Sequence, residues 1–311
     1  MRLRALTEDD VARVVAAWNQ HLVHDQLSPE RFRELMLGDP NYEAEGMTVA
    51  EGEEGEVLGF SGVIVRREVA GRDGGGREWE FDRGFLKGFF AAEADRGAAA
   101  ARALLGEAEA YCSAAGKKVV FVTEYAGPYV YPGIDVRYQR LRGILGEQGY
   151  RDIWTIHDVS TDLRDANVGE MLDQTRGRMP AGVEVMTWEP SLLPAMRAFA
   201  AEGDMPPWFP AGWESRLARP RETVLVLRKA EEILGWARYW PGKPRAGFGP
   251  ILVLPRARGQ GYGARLLLEC MVRAREAGAE RMEAGWANTG FYTRHGWEIT
   301  RRYAVLKKEL G

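Results

Sequence analysis

The chain is short of cysteine and histidine, has no long apolar run, and carries no large excess of charge. Two cysteines, Cys112 and Cys270, cannot make a disulfide framework. Both sit in segments of helical periodicity and read as core residues of a protein kept in a reducing compartment. His21 and His24 lie three apart on one helical face. No third and fourth ligand can be located beside them, so no metal site is expected. No stretch approaches the roughly 18 apolar residues that span a bilayer. The N-terminus turns acidic at Glu8-Asp9-Asp10, where a secretory signal would carry its apolar stretch. A net charge of -3 and a pI near 6.0 argue against a general nucleic-acid surface. These absences together predict a cytoplasmic protein with neither a membrane nor a nucleic-acid partner.

What is present is ordinary globular material, 45% apolar and 28% charged, in 311 residues, a length that suggests two domains. The richness in Ala, Arg and Gly points to a GC-rich bacterial source. The most informative stretch runs from Val253 to Leu267. It reads as a short apolar strand, a turn with glycines at 259, 261 and 263, and an amphipathic helix. Such a turn removes side chains where backbone amides crowd together, and the helix dipole points at the same place. Arg256, Arg258 and Arg265 surround it, so a pyrophosphate is the expected guest. A nucleotide P-loop needs Lys and then Ser or Thr after its last glycine, and Ala264-Arg265 supplies neither. The G-x-G-x-G spacing also departs from the G-x-G-x-x-G dinucleotide fingerprint.

The pattern Arg258-x-x-Gly261-x-Gly263 resembles the coenzyme A loop of the GCN5-related N-acetyltransferase (GNAT) superfamily. A second signature follows at Phe291-Tyr292-Thr293-Arg294-His295-Gly296-Trp297, an aromatic-Tyr pair and then Gly-aromatic. A helix over Ala264–Ala277 and a strand over Arg281–Trp286 fill the interval in the order that this fold requires.

The same layout is written twice. Arg96-Gly97-Ala98 through Leu105 aligns with Arg258 through Leu267, Leu58-Gly59-Phe60 with Leu234-Gly235-Trp236, Trp18 with Phe199, and Gly149-Tyr150 with Gly296-Trp297. The repeat is a whole domain rather than a solenoid unit. The reading is α/β: two tandem GNAT-like domains, each a mixed, mostly antiparallel sheet flanked by helices. Expected bounds are residues 1–165 for a degenerate first domain, 166–181 for a linker with a short helix over Val168–Thr175, and 182–311 for the second. The first copy holds extra length around Gly71–Gly76 and in Tyr125–Tyr138. Its loop has lost two glycines to Ala99 and Ala101, and Leu145 stands where the second copy has Tyr292. Alanine does not readily enter φ > 0, so this loop is expected to make a poorer cradle. Tandem copies with one functional half resemble the layout of the mycothiol synthase group.

The resemblance implies an acetyl-CoA-dependent N-acetyltransferase acting on a small-molecule, or a peptide, amine through direct attack and a tetrahedral intermediate. It implies that the backbone of Leu252, Val253 and Leu254 pairs with the pantetheine arm, with an N–H of Val253 or Leu254 polarising the acyl carbonyl. Arg258, Gly259, Gln260, Gly261, Tyr262, Gly263 and Ala264 would hold the pyrophosphate. Tyr292 would act as general acid, unless it is simply a packed core aromatic. Glu283 is the leading candidate for general base, with Glu202 and Asp204 behind it. Asn288 either contacts the cofactor or caps the next helix. Asp204–Trp213, with Trp236, Tyr239, Trp240 and Trp286, would wall an acceptor pocket or pack a core. A monomer with an internal pseudo-dimer is expected. A different class of function, a non-catalytic acyl-CoA sensor, uses the same loop but needs no acid.

Overall fold

The computed structural model describes residues 1–66, 81–92, 95–125, 129–164, 167–202, 214, 217 and 222–311. The expected loop at Gly71–Gly76 and the acceptor segment Asp204–Trp213 lie outside these residues. The chain forms two compact units, Met1–Ile156 with Arg302–Gly311, and His157–Arg301.

In the first unit the elements are β1 (Arg2–Ala5), α1 (Val11–His21), α2 (Pro29–Phe32), β2 (Met47–Glu51), β3 (Val57–Val65), β4 (Arg83–Ala91), α3 (Asp95–Ala114), β5 (Val119–Val122), β6 (Ile134–Asp135), α4 (Gln139–Glu147) and the start of β7 (Arg151–Asp162). Strands β1 to β4 are antiparallel neighbours, and β4 runs parallel to β5. The nearly continuous apolar runs of β3 and β4 follow from burial on both faces. Trp18, Phe60, Phe89 and Leu104 lie at the centre of the core, fully buried.

The second unit continues from β7 through α5 (Asn167–Gly177), β8 (Val183–Thr187), α6 (Leu193–Ala201), β9 (Thr223–Lys229), β10 (Glu232–Trp240), β11 (Arg245–Val253), α7 (Tyr262–Glu276), β12 (Arg281–Ala284), α8 (Thr289–Tyr292) and the start of β13 (Glu298–Glu309). Its strand order is β8-β9-β10-β11-β12 and then the end of β7, antiparallel except for the parallel step between β11 and β12. Each unit is therefore a mixed, mostly antiparallel sheet with helices. On α7, Leu266, Leu267, Cys270, Met271 and Ala274 recur at helical spacing and are buried. Each such large side chain contributes about 1.5–3 kcal/mol on burial.

The units divide elsewhere than the repeat suggests. Leu306–Glu309 of β13 pairs with Val119–Val122 of β5, which puts residues 302–311 in the first unit. Val159–Asp162 of β7 pairs with β12, which puts them in the second, together with the whole segment read as a linker. Repeated motifs locate copies, but they do not say which sheet an end strand joins. Both cysteines are free and buried. Burial pushes the Cys112 thiol up to about 12 and that of Cys270 well above its usual range.

Candidate active site in the second unit

Strands β11 and β12 pair over three steps only, Arg245↔Arg281, Ala246↔Met282 and Gly247↔Glu283. Beyond them β11 continues to Val253 with β10 as its neighbour on one side and, among the described residues, no strand on the other. Strand β11 begins at Arg245 although Gly247, Gly249 and Pro250 are all strand breakers. Each breaker has a structural use. A Cβ on Gly247 would lie 1.8 Å from the Trp240 ring, so the glycine admits the indole. Gly249, at φ 123°, and Pro250 form a bulge, because Ala237 pairs with Ile251 while Tyr239 pairs with Phe248. The Arg238 guanidinium ties the bulge down, donating to the Gly249 carbonyl at 3.0 Å and meeting Glu222 at 2.8 Å.

Backbone groups alternate between the two edges of a strand. The Leu254 amide donates inward to the Leu234 carbonyl at 2.9 Å, which leaves those of Val253 and Ile251 on the open edge. Of the two amides the sequence offered for polarising a carbonyl, Leu254 is therefore already used. Arg258 Nε donates to the Val253 carbonyl at 3.2 Å and pins the loop to the strand end.

The loop turns through Gly259 at φ 80° and Gly261 at φ 81°, both left-handed conformations that L side chains resist. Nothing lies within 4 Å of a Cβ built on Gly259. On Gly263, by contrast, a Cβ would come 3.2 Å from the Phe291 ring, so that glycine permits close packing. Among the described residues, no backbone carbonyl accepts a hydrogen bond from the amides of residues 259–264. These amides sit at the N-terminus of α7, where the helix dipole adds positive potential. Tyr262 Oη donates to Gln260 Oε1 at 2.9 Å and braces the turn.

Two of the three arginines are engaged elsewhere. Arg256 meets Glu202 at 2.7 Å and also pairs with Glu232. Arg265 meets the buried Glu269 at 2.7 Å, and Arg176 and Arg273 converge on the same carboxylate at 2.9 and 3.7 Å. Among the described residues, no carboxylate pairs with Arg258.

Tyr292 is 6% exposed and packs edge-on against Phe291 and Trp297 at 5.1 Å each and Phe248 at 6.1 Å. No described residue hydrogen-bonds its hydroxyl. Burial pushes the phenol above its ordinary value, so it stays protonated at neutral pH. Glu283 stands at the last paired step before the strands part, half-exposed, with Arg245 at 3.3 Å. Asn288 precedes α8 as an exposed residue and makes no side-chain cap. The aromatics separate: Trp236 and Tyr239 are buried, whereas Trp240 and Trp286 are 41% and 37% exposed. Sequence reasoning missed Ile251 and the Arg238–Glu222 pair. Only the register across the bulge could have found them.

Residues 186–297 match the family model described as Acetyltransferase (GNAT) family. They are a GNAT acetyltransferase domain. The chain as a whole has the fold of two GNAT-like units in tandem. Solved structures share its fold over nearly its whole length. A GCN5-related glucosamine N-acetyltransferase region of a fungal multi-domain GH3 β-N-acetylglucosaminidase aligns over 99% of this chain and 38% of that one, at 16% identity and a TM-score of 0.76. This chain thus spans well under half of that protein. A GCN5-related N-acetyltransferase from Sphaerobacter thermophilus aligns over 99% and 95%, at 18% identity and a TM-score of 0.69. A tandem GNAT protein from the clavulanic acid biosynthesis pathway aligns over 100% and 98%, at 15% identity and a TM-score of 0.62. At such identities the likeness is one of fold. No curated protein sequence matches the chain. No helix among the described residues is long and apolar enough to cross a membrane.

Proposed function

We propose that the second unit transfers an acetyl group from acetyl-CoA to the amine of a small molecule or peptide, acting in the cytoplasm as a monomer. The observation that carries this is the run of amides from Gly259 to Ala264, unclaimed by any described backbone carbonyl at the start of a helix and next to an open strand edge. The residues fit the cofactor. Gly259 leaves open space beside the amides, and Arg258 is a cation there that no described carboxylate engages. Leu252–Leu254 with Ile251 would receive the pantetheine arm as an added strand, through the outward groups of Ile251 and Val253. Asn288, just past β12, would contact the same cofactor.

Acetyl-CoA supplies an acyl carbonyl activated as a thioester. The Val253 amide stands on the open edge and donates where negative charge grows on the acyl oxygen. Tyr292 holds a proton on a hydroxyl that no described residue engages, and would deliver it to the departing sulfur. Glu283, at the mouth of the gap, removes the proton from the attacking amine, directly or through water.

Release of free thiol from acetyl-CoA, followed across a panel of amines, tests the proposal. Acceleration by an amine supports it. Tight acetyl-CoA binding with no release for any amine would favour the sensor.

A further inference from the structure

The fourth strand of the first unit repeats the design of β11. Strands β3 and β4 pair Gly59↔Ala91, Phe60↔Phe90 and Ser61↔Phe89, then shift register between Gly62 and Val63. Strands β10 and β11 pair Gly235↔Val253, Trp236↔Leu252 and Ala237↔Ile251, then shift in the same place. Phe89 therefore occupies the position of Ile251. Strand β4 also pairs with β5 only from Arg83 to Phe85, so its far edge parts from β5 as β11 parts from β12.

That edge is nevertheless filled. The Phe89 amide donates to Tyr131 Oη at 2.9 Å, and the Tyr131 hydroxyl donates to the Phe89 carbonyl at 3.2 Å. One phenol thus satisfies both backbone groups that an added strand would satisfy. Its ring is 3% exposed and stacks on Trp18 at 5.7 Å.

The segment that delivers Tyr131 is held on both sides. Ile134 and Asp135 pair with Ala304 and Tyr303, and the Val136 amide donates to the Arg302 carbonyl at 3.0 Å. Gly133 lies so close to β13 that a Cβ would sit 2.7 Å from the Ala304 oxygen. Tyr138 donates to Asp25 Oδ2 at 3.0 Å. The bulge residue is Lys87, whose fully buried ammonium meets Asp39 at 2.7 Å, and Tyr125 donates to the same carboxylate at 2.9 Å. The phosphate loop has gone as well. Helix α3 begins at Asp95, before Arg96-Gly97, so residues that align with the second unit's loop are already helical.

We propose that the first unit is folded around an internal stand-in for a cofactor arm: Tyr131 occupies on β4 the place that a pantetheine amide takes on β11, so this unit binds no acyl-CoA. The comparison with β11 rests on the acetyl-CoA reading of the second unit, whereas the occupancy of β4 does not.

Amide hydrogen exchange on the intact chain tests it, with and without acetyl-CoA, for the wild type and Tyr131→Phe. Acetyl-CoA is expected to slow exchange over residues 248–264 and to leave residues 83–91 unchanged. Tyr131→Phe keeps the ring and is expected to speed exchange of the Phe89 amide about tenfold, as one lost buried hydrogen bond does. Slowing at Phe89 by acetyl-CoA in the wild type would overturn the proposal. So would unchanged Phe89 exchange in Tyr131→Phe. Should Tyr131→Phe not fold, the wild-type comparison decides. If acetyl-CoA slows no amide anywhere, the functional reading of the second unit fails, and Phe89 exchange in Tyr131→Phe still judges the stand-in.

Discussion

Replacing Tyr292 with Phe separates chemistry from packing. The ring holds three edge-on aromatic contacts, at 5.1, 5.1 and 6.1 Å, and Phe keeps all of them. No described residue hydrogen-bonds the hydroxyl, so its removal strands no described buried group. Stability should therefore change by no more than about 0.5 kcal/mol. Truncation to Ala would instead open a cavity and cost about 3 kcal/mol or more. For catalysis the order reverses. Loss of a positioned acid lowers kcat by about 100- to 10,000-fold, with the KM for acetyl-CoA little changed. Steady-state thiol release and thermal unfolding, run on the same preparations of wild type, Tyr292→Phe and Tyr292→Ala, give both numbers. If Tyr292→Phe keeps wild-type kcat, Tyr292 is packing alone. If Tyr292→Phe loses stability in step with its rate, the hydroxyl has a structural partner and the assignment of an acid fails.

Burial holds the Tyr292 phenol above its ordinary value of 10.0, so kcat should show no descending limb up to that pH; a limb near pH 8 or 9 in the rate profile would contradict a protonated Tyr292 as the acid. In the first unit, Asp39→Ala strands the buried Lys87 ammonium and should cost about 3–5 kcal/mol in urea unfolding. Desolvation already lowers the Lys87 pKa, and loss of Asp39 lowers it further. The unfolded chain then binds the additional proton over a wider pH range than in the wild type, so this variant should gain more stability than the wild type as pH rises from 7 toward 10. A pH-independent loss would mean that the pair is not ionised in the fold.

The loop, the helix behind it and the duplication were legible because each depends on local chemistry. Left-handed turns need glycine, as at 259 and 261, and an amphipathic helix shows its period, so α7 runs from Tyr262 to Glu276 where the sequence placed it over 264–277. The start of β11 was hidden because Gly247 answers to Trp240, a residue on the neighbouring strand, and Gly249-Pro250 to a bulge. The units' bounds were hidden because β7 and β13 each begin in one unit and end in the other. Arginine content alone implied a basic cradle, but Arg256 is claimed by Glu202, distant in sequence, and Arg265 by Glu269, one turn along α7. The extra length at Tyr125–Tyr138 was visible as length; what Tyr131 does with it depends on a hydrogen bond to a strand that no local pattern announces.

Calorimetric titration of acetyl-CoA into the intact chain and into Gly261→Glu shows whether the loop of the second unit seats the cofactor. A glutamate at φ 81° both strains the turn and sets a negative charge among the unclaimed amides. One site per chain is expected in the wild type and none in Gly261→Glu. Two sites in the wild type, or one that survives in Gly261→Glu, would contradict that expectation, and no binding at all would remove the acetyl-CoA site from the second unit.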